Sequence, residues 1–150
     1  MFIHHDAKKI EDKCEYVYLV DGAKIANKLM QVVMNPKHRN AIGLAHNQIG
    51  GNKKVFVAKI DKQWRVFINP SIVKKSDDVV DSREGCMTFP NMTNVVKRHT
   101  WIEVESQVKE RNDIKGQMFK TERFEGMNAI VIQHEIDHLN GIHIFNKEEE

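Results

Sequence analysis

The spacing of apolar residues changes several times along the chain, and each change predicts an element. In residues 21 to about 37, Ile25, Leu29, Val32 and Val33 recur at i, i+4, i+7 and i+8. That is the repeat of one helix face, and Asp21 stands where a capping residue is expected. A stretch rich in small residues, 40–51, reads as a loop. Residues 54–60 and 64–69 read as strands either side of a polar turn at Asp61-Lys62, and 94–98, 101–108 and 117–124 also carry strand character. Within 101–108, Ile102, Val104, Ser106 and Val108 alternate with Glu103, Glu105 and Gln107, the pattern of a half-buried strand. A last helix is expected over 126–140, stopped by Gly141, which suits the left-handed position past a helix end. Strands around one central helix, with another helix before them, predict an α+β fold.

Composition narrows the classes. No repeat, low-complexity stretch or Gly/Ser/Pro-rich linker divides the 150 residues, so one domain over 1–150 is expected. A chain of this length buries a core without staples, which leaves a metal site free to be catalytic. A net charge of +2 with no basic run argues against direct nucleic-acid binding. Only Cys14 and Cys86 are present and no signal-peptide pattern opens the chain, which predicts a cytoplasmic protein with reduced thiols. No apolar run approaches the ~20 residues that cross a bilayer. His4 and His5 read as exposed terminal residues without a role.

The last helix carries the chemistry. Gln133-His134-Glu135-Ile136-Asp137-His138 contains an H-E-x-x-H pattern. Four residues advance a helix by a little over one turn, so both histidines leave the same face and can share one ion. Glu135 lies about 100° round the helix, better placed as a base than as a third ligand. Met127, Ile130 and Val131 lead into the histidines on one apolar face, which should turn them inward, where buried structural histidines are the alternative to ligands. Asp137 is expected to orient a ligand or pair with a base such as Arg98, a plain surface charge being the other reading. A catalytic site needs three protein ligands and one open position. His143 is spaced poorly for the third. Cys86, beside Gly85 in a turn-like stretch, is a better candidate, although spacing alone leaves it open between a ligand and a small buried hydrophobe.

Three segments together resemble the motifs of the peptide deformylases, in order: Ile42-Gly43-Leu44-Ala45-His46-Asn47-Gln48-Ile49-Gly50, then Glu84-Gly85-Cys86-Met87, then Gln133 to Gly141. Phe67-Ile68-Asn69-Pro70, between the first two, is similar to the family as well. The resemblance implies removal of the formyl group from the N-terminal formyl-methionine of nascent peptides, with release of formate. It implies that Cys86, His134 and His138 hold one divalent metal, Fe²⁺ by preference, with Zn²⁺, Ni²⁺ or Co²⁺ as alternatives. It makes Glu135 the base and assigns the oxyanion to the Gln48 amide and the Met87 backbone N–H. Gly43, Leu44 and Glu84 would hydrogen-bond the substrate backbone. An apolar pocket for the methionine side chain is expected beside the metal. Met127, Ile130 and Val131 are candidates for it, ordinary core being the alternative.

The departures are few. Met87 stands where the family usually has Leu, and Ala41 and His46 replace a Gly and an Ala. His46 is expected at the pocket rim or facing solvent. The sequence given ends soon after Phe145 without a further helix, as in compact deformylases of bacteriophages. That suggests a viral source acting in a host cytoplasm and leaves docking on the ribosome open. Two rival readings predict different things. A small zinc endopeptidase would not need Cys86; a closed structural zinc site would need a fourth ligand from Cys14 or His143.

Overall fold

A computed structural model describes residues 2–107 and 118–148. The Val108 and Gln117 ends of two expected strands, and Glu149 and Glu150, lie outside the described residues. Among these residues, seven strands and two α-helices follow in the order α1 (Leu19–Val33), β1 (Gly43–Ala45), β2 (Val55–Ile60), β3 (Gln63–Lys75), β4 (Val79–Cys86), β5 (Phe89–His99), β6 (Trp101–Gln107), β7 (Phe119–Glu125) and α2 (Gly126–Leu139). The strands form an antiparallel five-stranded sheet, β1-β2-β3-β6-β7, and a separate β4–β5 hairpin. This is an α+β architecture.

The sheet is covered on both faces. On one, α2 sets Ala129, Val131, Ile132, Ile136 and Leu139 against Phe56, Phe67, Ile102, Val104 and Phe124. Phe67 stacks on Phe56 at 4.6 Å and meets the edge of Phe124 at 5.9 Å. On the other face, α1 packs Ile25, Ala26, Leu29, Val32 and Val33 on Val55, Val57 and Ile68. Strand β2 therefore reads Val-Phe-Val-Ala, apolar on both sides, as a strand between two layers must. Asp61 and Lys62 join β2 to β3 with φ of 50° and 69°, the two left-handed residues of a tight hairpin turn.

Helix α2 lies between the sheet and the β4–β5 hairpin, and Gln133 docks the hairpin on it. Its Oε1 accepts the His99 N–H at 2.8 Å and its Nε2 donates to the His99 carbonyl at 2.9 Å. Gly141, at φ 77°, donates to the His138 carbonyl while Ile142 donates to that of Asp137, so the expected glycine stop closes α2 with a Schellman pair. A Cβ at Gly141 would collide with the Glu11 carbonyl, which only glycine avoids.

Four expectations need correction. Helix α1 starts at Leu19 after an extended Tyr18, and no side chain caps it; Asp21 sits in the first turn, where its charge favours the helix dipole. The helix stops before Asn35-Pro36, because a proline disfavours helical backbone in the residue before it. The loop expected over 40–51 contains β1 and a 3-10 turn, His46–Ile49. Cys86 is the last residue of strand β4 rather than part of a turn.

Candidate metal centre and active site

The two histidines leave α2 one turn apart, and their Nε2 atoms lie 3.1 Å from each other. The end of β4 brings Cys86, 52 residues away in sequence, to 3.4 Å between its Sγ and His138 Nε2. The three potential ligand atoms all fall within 4.8 Å of one another. His138 is fully buried, and burial drives its pKa well below the ordinary imidazole value, which keeps it neutral and able to donate a lone pair. His134 Nδ1 donates to Glu84 Oε1 at 2.8 Å, because a carboxylate accepts only, so Nε2 is the nitrogen turned toward Cys86 and His138 and becomes a ligand atom when an ion takes its proton's place.

The donor set fits a metal ion. Burial opposes charge on His134, yet its contacts with Cys86 and Glu84 and the nearby Glu135 charge lift its pKa to about 10. The site thus favours positive charge at the point where the three donors converge. One thiolate and two imidazoles suit Zn²⁺ or Fe²⁺. Among the described residues no other His, Cys, Asp or Glu joins the cluster, which leaves a coordination position open. The two candidates for a fourth ligand are elsewhere: Cys14 is buried in the core, and the His143 ring packs on Phe89 at 4.9 Å.

Glu135 is buried on the same helix, and burial pushes its carboxyl up to about 7. One of its oxygens, Oε1, has no hydrogen-bond partner among the described residues. The carboxylate packs on the bare backbone of Gly43, where an added Cβ would lie 2.5 Å from Oε2. Gln48, on the 3-10 turn after β1, accepts the Ala45 N–H through Oε1 at 2.9 Å. This fixes its amide so that Nε2 donates to Cys86 Sγ at 3.4 Å and Thr88 Oγ1 at 3.2 Å. Sequence reasoning passed over Thr88, and nothing in its local pattern marks it. His4 and His5, read as without a role, brace this corner: the His4 N–H donates to the Gln48 carbonyl at 2.7 Å, and His5 Nδ1 to the Thr88 carbonyl at 3.2 Å.

Behind the histidines sits Arg98, 2% exposed. Its Nε and Nη2 donate to both oxygens of Glu84 at 2.8 and 2.7 Å, and Nη1 donates to Asp137 Oδ2. Lys147 reaches the same Asp137 oxygen at 3.0 Å. Burial raises the Glu84 carboxyl, but the bonds from Arg98 and His134 outweigh it and hold it down to about 2. Asp137 is therefore paired with Arg98, one of the alternatives its position allowed. The carboxylate of Glu84, a residue expected to hydrogen-bond the substrate backbone, is taken up by Arg98 and His134, while the residue itself lines the cavity described next.

A cavity of about 470 Å³ opens beside the ligands, lined by Ile42, Gly43, Gln48, Glu84, Cys86 and Met87, by Met127, Ile130 and Val131, and by His134 and Glu135. Leu44 does not line it; the residue is wholly buried on the α1 side of the sheet. His46 is not at its rim either, since its ring lies against Gly51 and its Nδ1 accepts the Lys53 N–H at 3.1 Å. Strand β1 pairs with β2 alone among the described residues, so its other edge faces outward.

Comparison with known proteins agrees with this geometry. The family described as polypeptide deformylase matches residues 2–150. A peptide deformylase of Dictyoglomus turgidum is 33% identical over 143 residues, 94% of this chain and 82% of that protein. One of Chloroflexus aggregans is 31% identical, covering 91% of this chain and 78% of its own. Among solved structures, the PDF of Vibrio parahaemolyticus bacteriophage VP16T, in complex with actinonin, superposes with a TM-score of 0.82 at 30% identity, over 96% of this chain and all of that one. A probable peptide deformylase of Synechococcus phage S-SSM7 gives 0.81 at 28%, over 97% and 98%. The chain belongs to the peptide deformylase family of metal-dependent hydrolases.

Proposed function

We propose that Cys86, His134 and His138 hold one divalent ion at the centre of this enzyme's reaction, removal of the formyl group from the N-terminal formyl-methionine of newly synthesised polypeptides. The convergence of three donor atoms within 4.8 Å, with no fourth protein ligand among the described residues, is the observation that carries the reading. A bound ion supplies Lewis acidity and lowers the pKa of water. Glu135, poised near neutrality beside the ligands, takes the proton of the attacking water and hands it to the departing amine. The Gln48 amide, fixed by Ala45 and Thr88, and the Met87 N–H donate to the oxygen that gains negative charge. Glu84 and Arg98 hold His134 in the orientation the ligand set needs.

Met127, Ile130 and Val131 receive the methionine side chain, and the free edge of β1 at Gly43 receives the peptide backbone as an added strand. Leu44 serves as core support beneath that edge rather than as a contact. Fe²⁺ is our choice of native metal: a thiolate beside two imidazoles is compatible with it as well as with Zn²⁺, and the family resemblance favours it. We place the reaction in the cytoplasm, where nascent peptides emerge; no helix among the described residues is long and apolar enough to cross a membrane. The test is formate release from formyl-Met-Ala-Ser by protein purified without oxygen and loaded with Fe²⁺ or Ni²⁺. Release abolished by chelation supports the reading; no release from fully metallated protein overturns it.

A further inference from the structure

Followed outward from the metal ligands, both walls of the cavity end in unpaired positive charge. On one wall the chain runs back from Gly43 to Lys37 and His38, in the short 3-10 turn after α1. On the other, β4 runs back from Cys86 to Arg83, which also lines the cavity and whose Nη1 donates to Thr93 Oγ1 at 3.2 Å. Lys37 and Arg83 are exposed, and neither has a carboxylate partner among the described residues. The two carboxylates in the lining are committed: Glu84 to Arg98 and His134, and Glu135, buried, to the reacting centre. The mouth of the cavity is therefore cationic on both sides, with no opposing acid among the described residues.

Strand geometry says which part of a substrate meets it. Arg83 stands three residues from Cys86, roughly 10 Å at about 3.3 Å per residue. A formyl-peptide extended along β1, with its formyl carbon at the ligands, carries its second and third residues at about that distance. We infer that Lys37 and Arg83 are specificity-determining residues, selecting formyl-methionyl peptides with an acidic side chain at the second or third residue over peptides with a basic one. This rests on the deformylase reading above. Exposed ion pairs are individually weak, and two acting together amount to about a fivefold preference in kcat/KM, carried mostly by KM and fading as salt screens them.

The experiment compares formyl-Met-Ala-Glu with formyl-Met-Ala-Lys on the Ni²⁺-loaded enzyme at low and at high salt. Formyl-Met-Ala-Ser is the uncharged reference in every variant. The proposal expects the glutamate peptide to be favoured about fivefold, the preference to vanish in Lys37→Gln/Arg83→Gln, and to invert in Lys37→Glu/Arg83→Glu. Equal kcat/KM for the two charged peptides, or a preference that survives the double charge removal, overturns it. Loss of formyl-Met-Ala-Ser hydrolysis in the parent enzyme would instead tell against the deformylase reading, so the two failures are distinct.

Discussion

Replacing Arg98 by Met keeps most of the side chain's length and removes its charge from between two carboxylates. Glu84 is only 9% exposed and Asp137 16%, so neither is well solvated once the guanidinium is gone. Breaking a buried pair in this way costs about 3–5 kcal/mol, because the poorly solvated carboxylates keep only Lys147 and His134 as partners among the described residues. For a domain of this size that is a fall in Tm of roughly 6–20 °C. The exposed pair of Lys53 with Glu15, 35% and 65% exposed, provides the internal control: Glu15→Gln should leave the unfolding midpoint almost unmoved. Urea unfolding of both variants measures the difference, and competition with a chromogenic chelator measures the metal. Because Glu84 fixes the His134 ring through Nδ1, metal affinity in Arg98→Met should fall about 10–100-fold as well. An Arg98→Met protein as stable as Glu15→Gln, binding metal as tightly as the parent, would refute the claim that Arg98 holds the site together.

Other perturbations separate the roles. Glu135→Gln should retain one metal per chain by elemental analysis yet lose nearly all formate release, whereas Cys86→Ala should lose the metal itself; retention of both metal and activity by Cys86→Ala would remove it from the ligand set. Gly43→Ala places a methyl against the Glu135 carboxylate and should lower kcat by more than tenfold while leaving metal content unchanged, read by steady-state kinetics beside elemental analysis. Burial raises the Cys14 thiol from 9.0 to about 11, so the folded state favours its neutral form. The stability this contributes is complete below pH 9 and is lost as pH rises toward 11, and Cys14→Val should flatten that alkaline decline in thermal melts.

Different parts of the molecule were legible in the sequence to different degrees, for physical reasons. Helix α2 was readable because Met127, Ile130 and Val131 recur at i, i+3 and i+4 and lead into His134 and His138, and Gly141 marks its end. The three residues of β1 are buried on both faces, so no alternation betrays a strand. Strand β4 was hidden for the opposite reason: Val79, Val80 and Asp81 are all exposed, and the hairpin is held by its partner strand and Gln133 rather than by a buried face. In the site, the spacing of His134 and His138 is local and carries its own geometry. The pairing of Cys86 with His138 spans 52 residues, and no periodicity encodes a contact of that kind; the resemblance alone pointed to it. Glu84 illustrates the same limit, since only the folded chain brings Arg98 and His134 to its two oxygens.

The closure of α2 bears on how the active site comes into being. Asn47 donates to the carbonyl of His138 at 2.6 Å across 91 residues, and the Cys14 N–H donates to that of Leu139 at 2.8 Å. The end of the last helix is thus tied down by residues synthesised long before it. His134 and His138 both lie on that helix, so no fragment that ends before α2 holds the full set of candidate ligands. Closing such long loops costs entropy before any contact repays it, which slows folding and makes it concerted. A deformylase thus completes its own candidate metal site only once α2 has been made and docked.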